Sequence, residues 1–173
     1  FKDYDINLLY QDYLGNKDAI KYKGVYKNIF IYPKKLGCHG ARVTLLRKIW
    51  QDYDVFINLD DDILLTEYTD YTLAIEKALE PSTGFVLTNW ARTESLMMKK
   101  IPKMENKFVK QALVYQGGGM VYKKEIAELM AGLDVSHAKF DDIWPLTAYI
   151  NGYDNYRFLG SLAIHKICTT GGM

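Results

Sequence analysis

The chain has 173 residues, with 22 Lys and Arg against 21 Asp and Glu, a formal net charge of +1. That length suits a single domain with a core of its own, and 49% hydrophobic with 25% charged residues is a globular composition rather than a disordered one. The near-neutral balance argues against nucleic acid as the main partner, no apolar run nears the roughly 20 residues of a membrane span, and no basic-then-apolar signal segment opens the chain.

Residues 6–10 (INLLY) form a short apolar run ahead of the turn-like Leu14-Gly15-Asn16, which predicts a buried strand. A second strand is expected at 28–32 (NIFIY), stopped by Pro33. The segment KKLGCHG reads as a loop. From 41 to 50 the apolar positions Ala41, Leu45, Leu46, Ile49 and Trp50 follow helical spacing. Residues 55–59 (VFINL) predict a strand covered on both faces. Asp70 can cap a helix running through Leu79 that Pro81 ends. Residues 85–88 (FVLT) are the next strand, and the polar, Lys-rich stretch 91–112 reads as a long connection.

Residues 113–122 read as a strand interrupted by Gly117-Gly118-Gly119. Helices follow at 123–131 and 141–150, the second tolerating Pro145 in its first turn, and late strands at 156–158 and 162–167. Strands alternating with helices predict an α/β sandwich with a mainly parallel sheet, in one domain over 1–173. Two cysteines, Cys38 and Cys168, are too few for a disulfide scaffold and point to a reducing, cytoplasmic setting.

Asp60-Asp61-Asp62 is the sharpest chemical feature. It directly follows an apolar strand, and ligands in open α/β sheets gather at the carboxyl ends of strands. Three adjacent carboxylates repel one another unless a cation sits among them. In extended backbone Asp60 and Asp62 point the same way, and paired hard oxygen ligands suit Mg²⁺ or Mn²⁺ with a diphosphate. The bland alternative is a solvated turn.

Gly37, Gly40 and Arg42 lie at the start of the preceding helix, where a backbone free of side chains and a helix N-terminus attract phosphate; taken alone, they are better read as an ordinary turn with a surface Arg. Gly117-Gly118-Gly119 marks either a bulge or a close ligand approach. Asp141-Asp142 opens a helix, as acids do for dipole reasons, or supplies a general base. His165 lies in an apolar strand. Cys38, His39, His165 and Cys168 lack zinc-ligand spacing, and a zinc site is rejected.

Taken in order, these features resemble the GT-A fold of nucleotide-sugar glycosyltransferases, over roughly residues 6–165. KLGCHGARVTLLRKIWQDYDVFINLDDDIL resembles the family's approach to its DXD motif, QGGGMVYKKEIAELM its acceptor-side strand and helix, and FDDIWPLTAYINGY the segment carrying the base in inverting members. The Tyr-, Lys- and Asn-rich style is similar to glycosyltransferase domains of large algal viruses, which would place the chain in a host cytoplasm.

The resemblance implies a Rossmann-like α/β/α sandwich and a metal-dependent transfer of sugar from a nucleoside-diphosphate sugar, UDP-sugar above all, to a glycan or glycoprotein hydroxyl. It implies Mn²⁺ or Mg²⁺ held by Asp62, with Asp60 on the nucleotide ribose or on the metal through water. Asp61 would support the turn or touch the donor sugar, and Arg42 would sit near the diphosphate. Gly118 and Gly119 would leave room for the sugars, Asp142 or else Asp141 would be the base, and His165 would be a late metal ligand. The family's opening strand-helix unit, which holds the base of the nucleotide, is missing ahead of Phe1, so the chain is expected to be a fragment or to lack that unit. Two rivals stand beside this reading: a non-catalytic nucleotide-sugar- or carbohydrate-binding domain, and a DXD phosphatase of the haloacid-dehalogenase class. The phosphatase motif wants Thr or Val where this chain has Leu64.

Overall fold

A computed structural model describes residues 4–11, 26–34, 36–60, 62–112, 119–134 and 143–165. They belong to two units, Phe1–Trp50 with Ala131–Phe140, and Gln51–Met130 with Asp141–Met173.

In the first unit, β1 (Asn7–Gln11) and β2 (Asn28–Tyr32) pair in parallel with Asn7 opposite Asn28. The Asn28 amide donates to Asn7 Oδ1 at 2.8 Å, so the two side chains that open the strands lock their register. Helix α1 (Gly37–Ile49) buries Val43, Leu46 and Ile49 on one stripe, as the apolar spacing requires. It begins four residues before the expected start at 41. The two glycines that suggested a loop lie inside its first turn, and a Cβ on Gly40 would stand 3.3 Å from Leu36 Cβ.

In the second unit, β3 (Val55–Asn58), β4 (Ile63–Leu64), β5 (Thr83–Ala91), β6 (Phe108–Gln111), β7 (Met120–Lys123) and β8 (Asp154–His165) form one sheet. Its order is β3-β7-β5-β8-β4, with β6 also on β8. The chain is therefore mixed α/β, and the expected mainly parallel sheet is corrected. Only β5 and β8 are parallel neighbours among the described strands of this sheet; β7 runs antiparallel to β3 and β5, and β4 and β6 run antiparallel to β8. Strand direction leaves no trace in local hydrophobic pattern, and β4 and β6 fold back from segments that read as connections.

Helices cover both faces. Tyr71, Ala74 and Ala78 of α2 (Thr72–Ala78) and its cap pack on Val86, Val121 and Phe158. On the opposite face Phe85 meets Tyr122 at 5.2 Å and Trp144 of α5 (Ile143–Ile150) at 6.2 Å between ring centroids, and α4 (Lys124–Ala131) follows β7 directly. Thr83 through Thr88 are all buried, so β5 is the sheet's core strand.

The stretch 91–112 is structured. It holds α3 (Glu94–Lys100), a 3-10 turn (Ile101–Lys103) and β6. The two late strands are one strand, β8, irregular where it was expected to break. Between Thr88 and Asn89 of β5 the partner jumps from Phe158 to Leu162. The residues skipped, 159–161, let β8 change its outer neighbour from β6 to β4. No helix among the described residues is long and apolar enough to cross a membrane.

Candidate metal centre

The pairings give β3, β5 and β8 a common direction, with β7 reversed between the first two. Their carboxyl ends emerge at one edge of the sheet, where α/β proteins place ligands. Asp60 lies two residues past β3, Trp90 is next to last in β5, and His165 ends β8.

The acidic triplet turns directly into β4. Ile63 N–H donates to Asp60 O at 3.3 Å, and Ile63 sits opposite His165 in the β4–β8 ladder. The loop beyond is tied to the irregular part of β8: Thr66 and Thr69 hydroxyls both donate to Leu162 O at 2.9 Å, Leu162 N–H donates to Tyr68 O, and Asp70 N–H to Ser161 Oγ. This tethering carries Asp62 to the end of β8.

There, Asp60, Asp62 and His165 each offer a ligand atom, and the three atoms lie within 4.8 Å of one another. Asp62 Oδ2 is 3.1 Å from His165 Nε2, and both side chains are about three-quarters buried. Asp62 Oδ1 and His165 Nδ1 are buried with no hydrogen-bond partner among the described residues. Buried polar atoms without partners are costly, and a cation among the three side chains would give the Asp62 carboxylate a partner. Two carboxylates and an imidazole fit Mn²⁺, and Mg²⁺ less well, because nitrogen is the softer donor. The residues present therefore fit the expected ion. The Trp90 ring packs edge-on to His165 at 5.3 Å, walling one side of the imidazole.

Of the other expected residues, Asp61, Gly118, Asp141 and Asp142 lie outside the described residues. Arg42 is on α1, in the first unit. Gly119 has φ +141°, and a Cβ there would stand 2.7 Å from Tyr71 Oη and 3.1 Å from Leu59 Cδ2, so packing alone demands glycine at that point.

Asn58 was missed by sequence reasoning. It ends β3, and its Nδ2 is buried without a partner among the described residues. The signal was available: a lone amide in an apolar strand, two residues before Asp60 and so on the same side of extended backbone.

No protein-family model matches the chain, and no curated protein matches it.

Proposed function

We propose that this chain is a metal-dependent, inverting glycosyltransferase. It moves a sugar from a nucleoside-diphosphate sugar, with UDP-sugar as the favoured donor, to a hydroxyl of a glycan or glycoprotein acceptor in a reducing, cytoplasmic setting. The observation that carries this reading is the convergence of Asp60, Asp62 and His165 at the carboxyl edge of the sheet. A solvated acidic turn would not need a histidine brought from 103 residues away, nor leave buried Asp62 and His165 atoms without partners among the described residues.

Asp62, Asp60 and His165 would hold Mn²⁺ or Mg²⁺. The ion, when bound, supplies positive charge to the diphosphate, so the leaving group departs without needing a proton. Asp142, or else Asp141, takes the proton of the acceptor hydroxyl as it attacks the anomeric carbon. One base suffices, unlike the two carboxylates of hydrolases. A GT-A sheet is part of the proposal, and the reversed β7 among co-directional strands is compatible with it.

The test is incubation of the chain with UDP-sugars, Mn²⁺ and a panel of glycans, following UDP release and the anomeric configuration of the product by NMR. Transfer with inversion supports the proposal. Metal-dependent UDP binding without turnover would favour a binding domain, and phosphate trapped on an aspartate would favour the phosphatase.

A further inference from the structure

A histidine that holds a metal through one ring nitrogen is usually oriented through the other, which donates to a carboxylate, a backbone carbonyl or a water. His165 departs from that pattern. Its Nε2 faces Asp62 Oδ2 at 3.1 Å, on the side of the proposed ion. Its Nδ1 is buried, with no hydrogen-bond partner among the described residues. Ile63, opposite His165 on β4, carries an aliphatic side chain and offers no acceptor. The torsion that swings an imidazole about its stem has broad, roughly two-fold preferences. Something other than a hydrogen bond to Nδ1 must therefore fix which edge the ring shows to the two acids.

Trp90 is placed to do so. In the parallel β5–β8 ladder it stands opposite Ala163, and His165 lies two residues farther along β8, on the same face of the sheet. Ala163 ends in a methyl group, which leaves the indole room to reach past it. The two rings meet edge to face, with centroids 5.3 Å apart and planes at 68°. That is a favoured arrangement for aromatic pairs. The indole is held in turn. Lys100 Nζ donates to Trp90 O at 2.5 Å and lies 5.8 Å from the ring centroid, and Arg92 Cζ lies 5.9 Å from it. Both cations are within reach of the ring's electrostatic attraction. Support therefore runs from α3 through Trp90 to His165.

We infer that Trp90 is a positioning residue: its indole, in place of a hydrogen bond to Nδ1, holds the His165 imidazole with Nε2 turned toward Asp60 and Asp62. This rests on the metal centre of the transferase reading. It accounts for two features that the proposed chemistry leaves unused, a half-buried indole at the carboxyl edge of the sheet and a buried Nδ1 without a partner among the described residues.

The test compares Mn²⁺ affinity, read by paramagnetic resonance of the free ion, with the melting temperature without metal, in the intact chain. Trp90→Leu removes the ring and should weaken Mn²⁺ binding by about ten-fold, as for other groups that orient a metal ligand. Trp90→Phe keeps a ring and should restore most of that affinity. In a His165→Ala background, Trp90→Leu should cost less than about two-fold further, because the ligand it orients is gone. A merely structural role would lower the melting temperature without this dependence on His165. Unchanged affinity in Trp90→Leu, an equal loss in Trp90→Phe, or a full ten-fold loss in the His165→Ala background would overturn the inference. Should Trp90→Leu fail to fold, NMR of the wild type decides. The His165 ring protons, assigned by comparison with His165→Ala, should carry the same ring-current shift without metal and with Mg²⁺; absence of that shift in either state would overturn the inference. Mn²⁺ binding that Trp90→Leu leaves intact defeats this inference alone, whereas a wild type that binds no Mn²⁺ defeats the metal centre and this inference with it.

Discussion

Asp62 Oδ2 and His165 Nε2 stand 3.1 Å apart although 103 residues separate them in the chain. The contact depends on the register that sets Ile63 opposite His165, and on the Thr66 and Thr69 hydroxyls that fasten the following loop to Leu162. A slip of one residue would turn His165 to the other face of the sheet.

If His165 is a ligand rather than a strand residue, His165→Ala should weaken Mn²⁺ binding by at least about ten-fold. The melting temperature without metal should stay near that of the wild type, since among the described residues the side chain is hydrogen-bonded only to Asp62. Paramagnetic resonance of free Mn²⁺ reads the first quantity and calorimetry the second. Unchanged Mn²⁺ affinity would leave His165 a structural partner of Asp62.

Asp142→Asn should lower transfer by about 10²–10⁴-fold, the range for loss of a general base. Donor affinity should hold, because the base meets the acceptor. Near-wild-type turnover in this variant, with a large loss in Asp141→Asn, would move the role to the neighbouring acid.

Asn155 is fully buried and joins three backbone segments. Its Oδ1 accepts from Phe85 N–H at 3.0 Å, and its Nδ2 donates to Pro145 O at 2.8 Å and Ala112 O at 3.1 Å. The bond to Phe85 falls where β5 slips register between Thr83 and Val86, so the side chain satisfies an N–H at a ladder irregularity. Asn155→Leu would strand those groups and should cost about 2–4 kcal/mol in urea unfolding. A loss under 1 kcal/mol, which is about the net value of one hydrogen bond, would mean that water replaces the amide there.

Asp70 Oδ1 accepts from Thr72 N–H at 2.8 Å and from the Thr72 hydroxyl at 2.7 Å, which holds its carboxyl below the ordinary 3.8. A folded-state value below the unfolded one stabilises the protein fully above the unfolded pKa, and that contribution fades as pH falls through the folded value. Asp70→Ala should therefore destabilise at neutral pH by about 0.5 kcal/mol, because solvent screens the exposed carboxylate. The difference from wild type should shrink below about pH 4, near the unfolded value. Urea titrations at pH 7 and pH 3 measure it; an equal difference at both would mean that the charged form is not what matters.

Asp70 was legible as an acid at the start of α2, but Tyr71 and not Asp70 is the N-cap, and Asp70 bonds Thr72 from one residue ahead of it; the triplet was legible because it closes an apolar strand. β4 was not, since Ile63-Leu64 is too short to show a period. The signals of α3 were present: Thr93 Oγ1 accepts from Leu96 N–H, with Glu94 in the first turn and Lys99 and Lys100 in the last. Its Leu96 and Met98 are exposed, so there is no buried stripe for periodicity to find. The break at 159–161 was visible in Leu159-Gly160-Ser161, but only the pairing shows that one strand crosses it to exchange partners. The place of His165 beside the acids came from family resemblance, because a lone histidine in an apolar strand carries no local mark of its partner.

The most direct measurement is calorimetry of UDP binding to the intact chain, with Mn²⁺ and again with excess chelator, for the wild type and for Asp62→Asn. Carboxylates and diphosphate repel without a cation between them. UDP should bind the wild type only with Mn²⁺, and binding should be lost in Asp62→Asn while the fold survives. Equal affinity with and without the metal, or full metal-dependent binding by Asp62→Asn, would contradict a nucleotide site built on Asp60, Asp62 and His165.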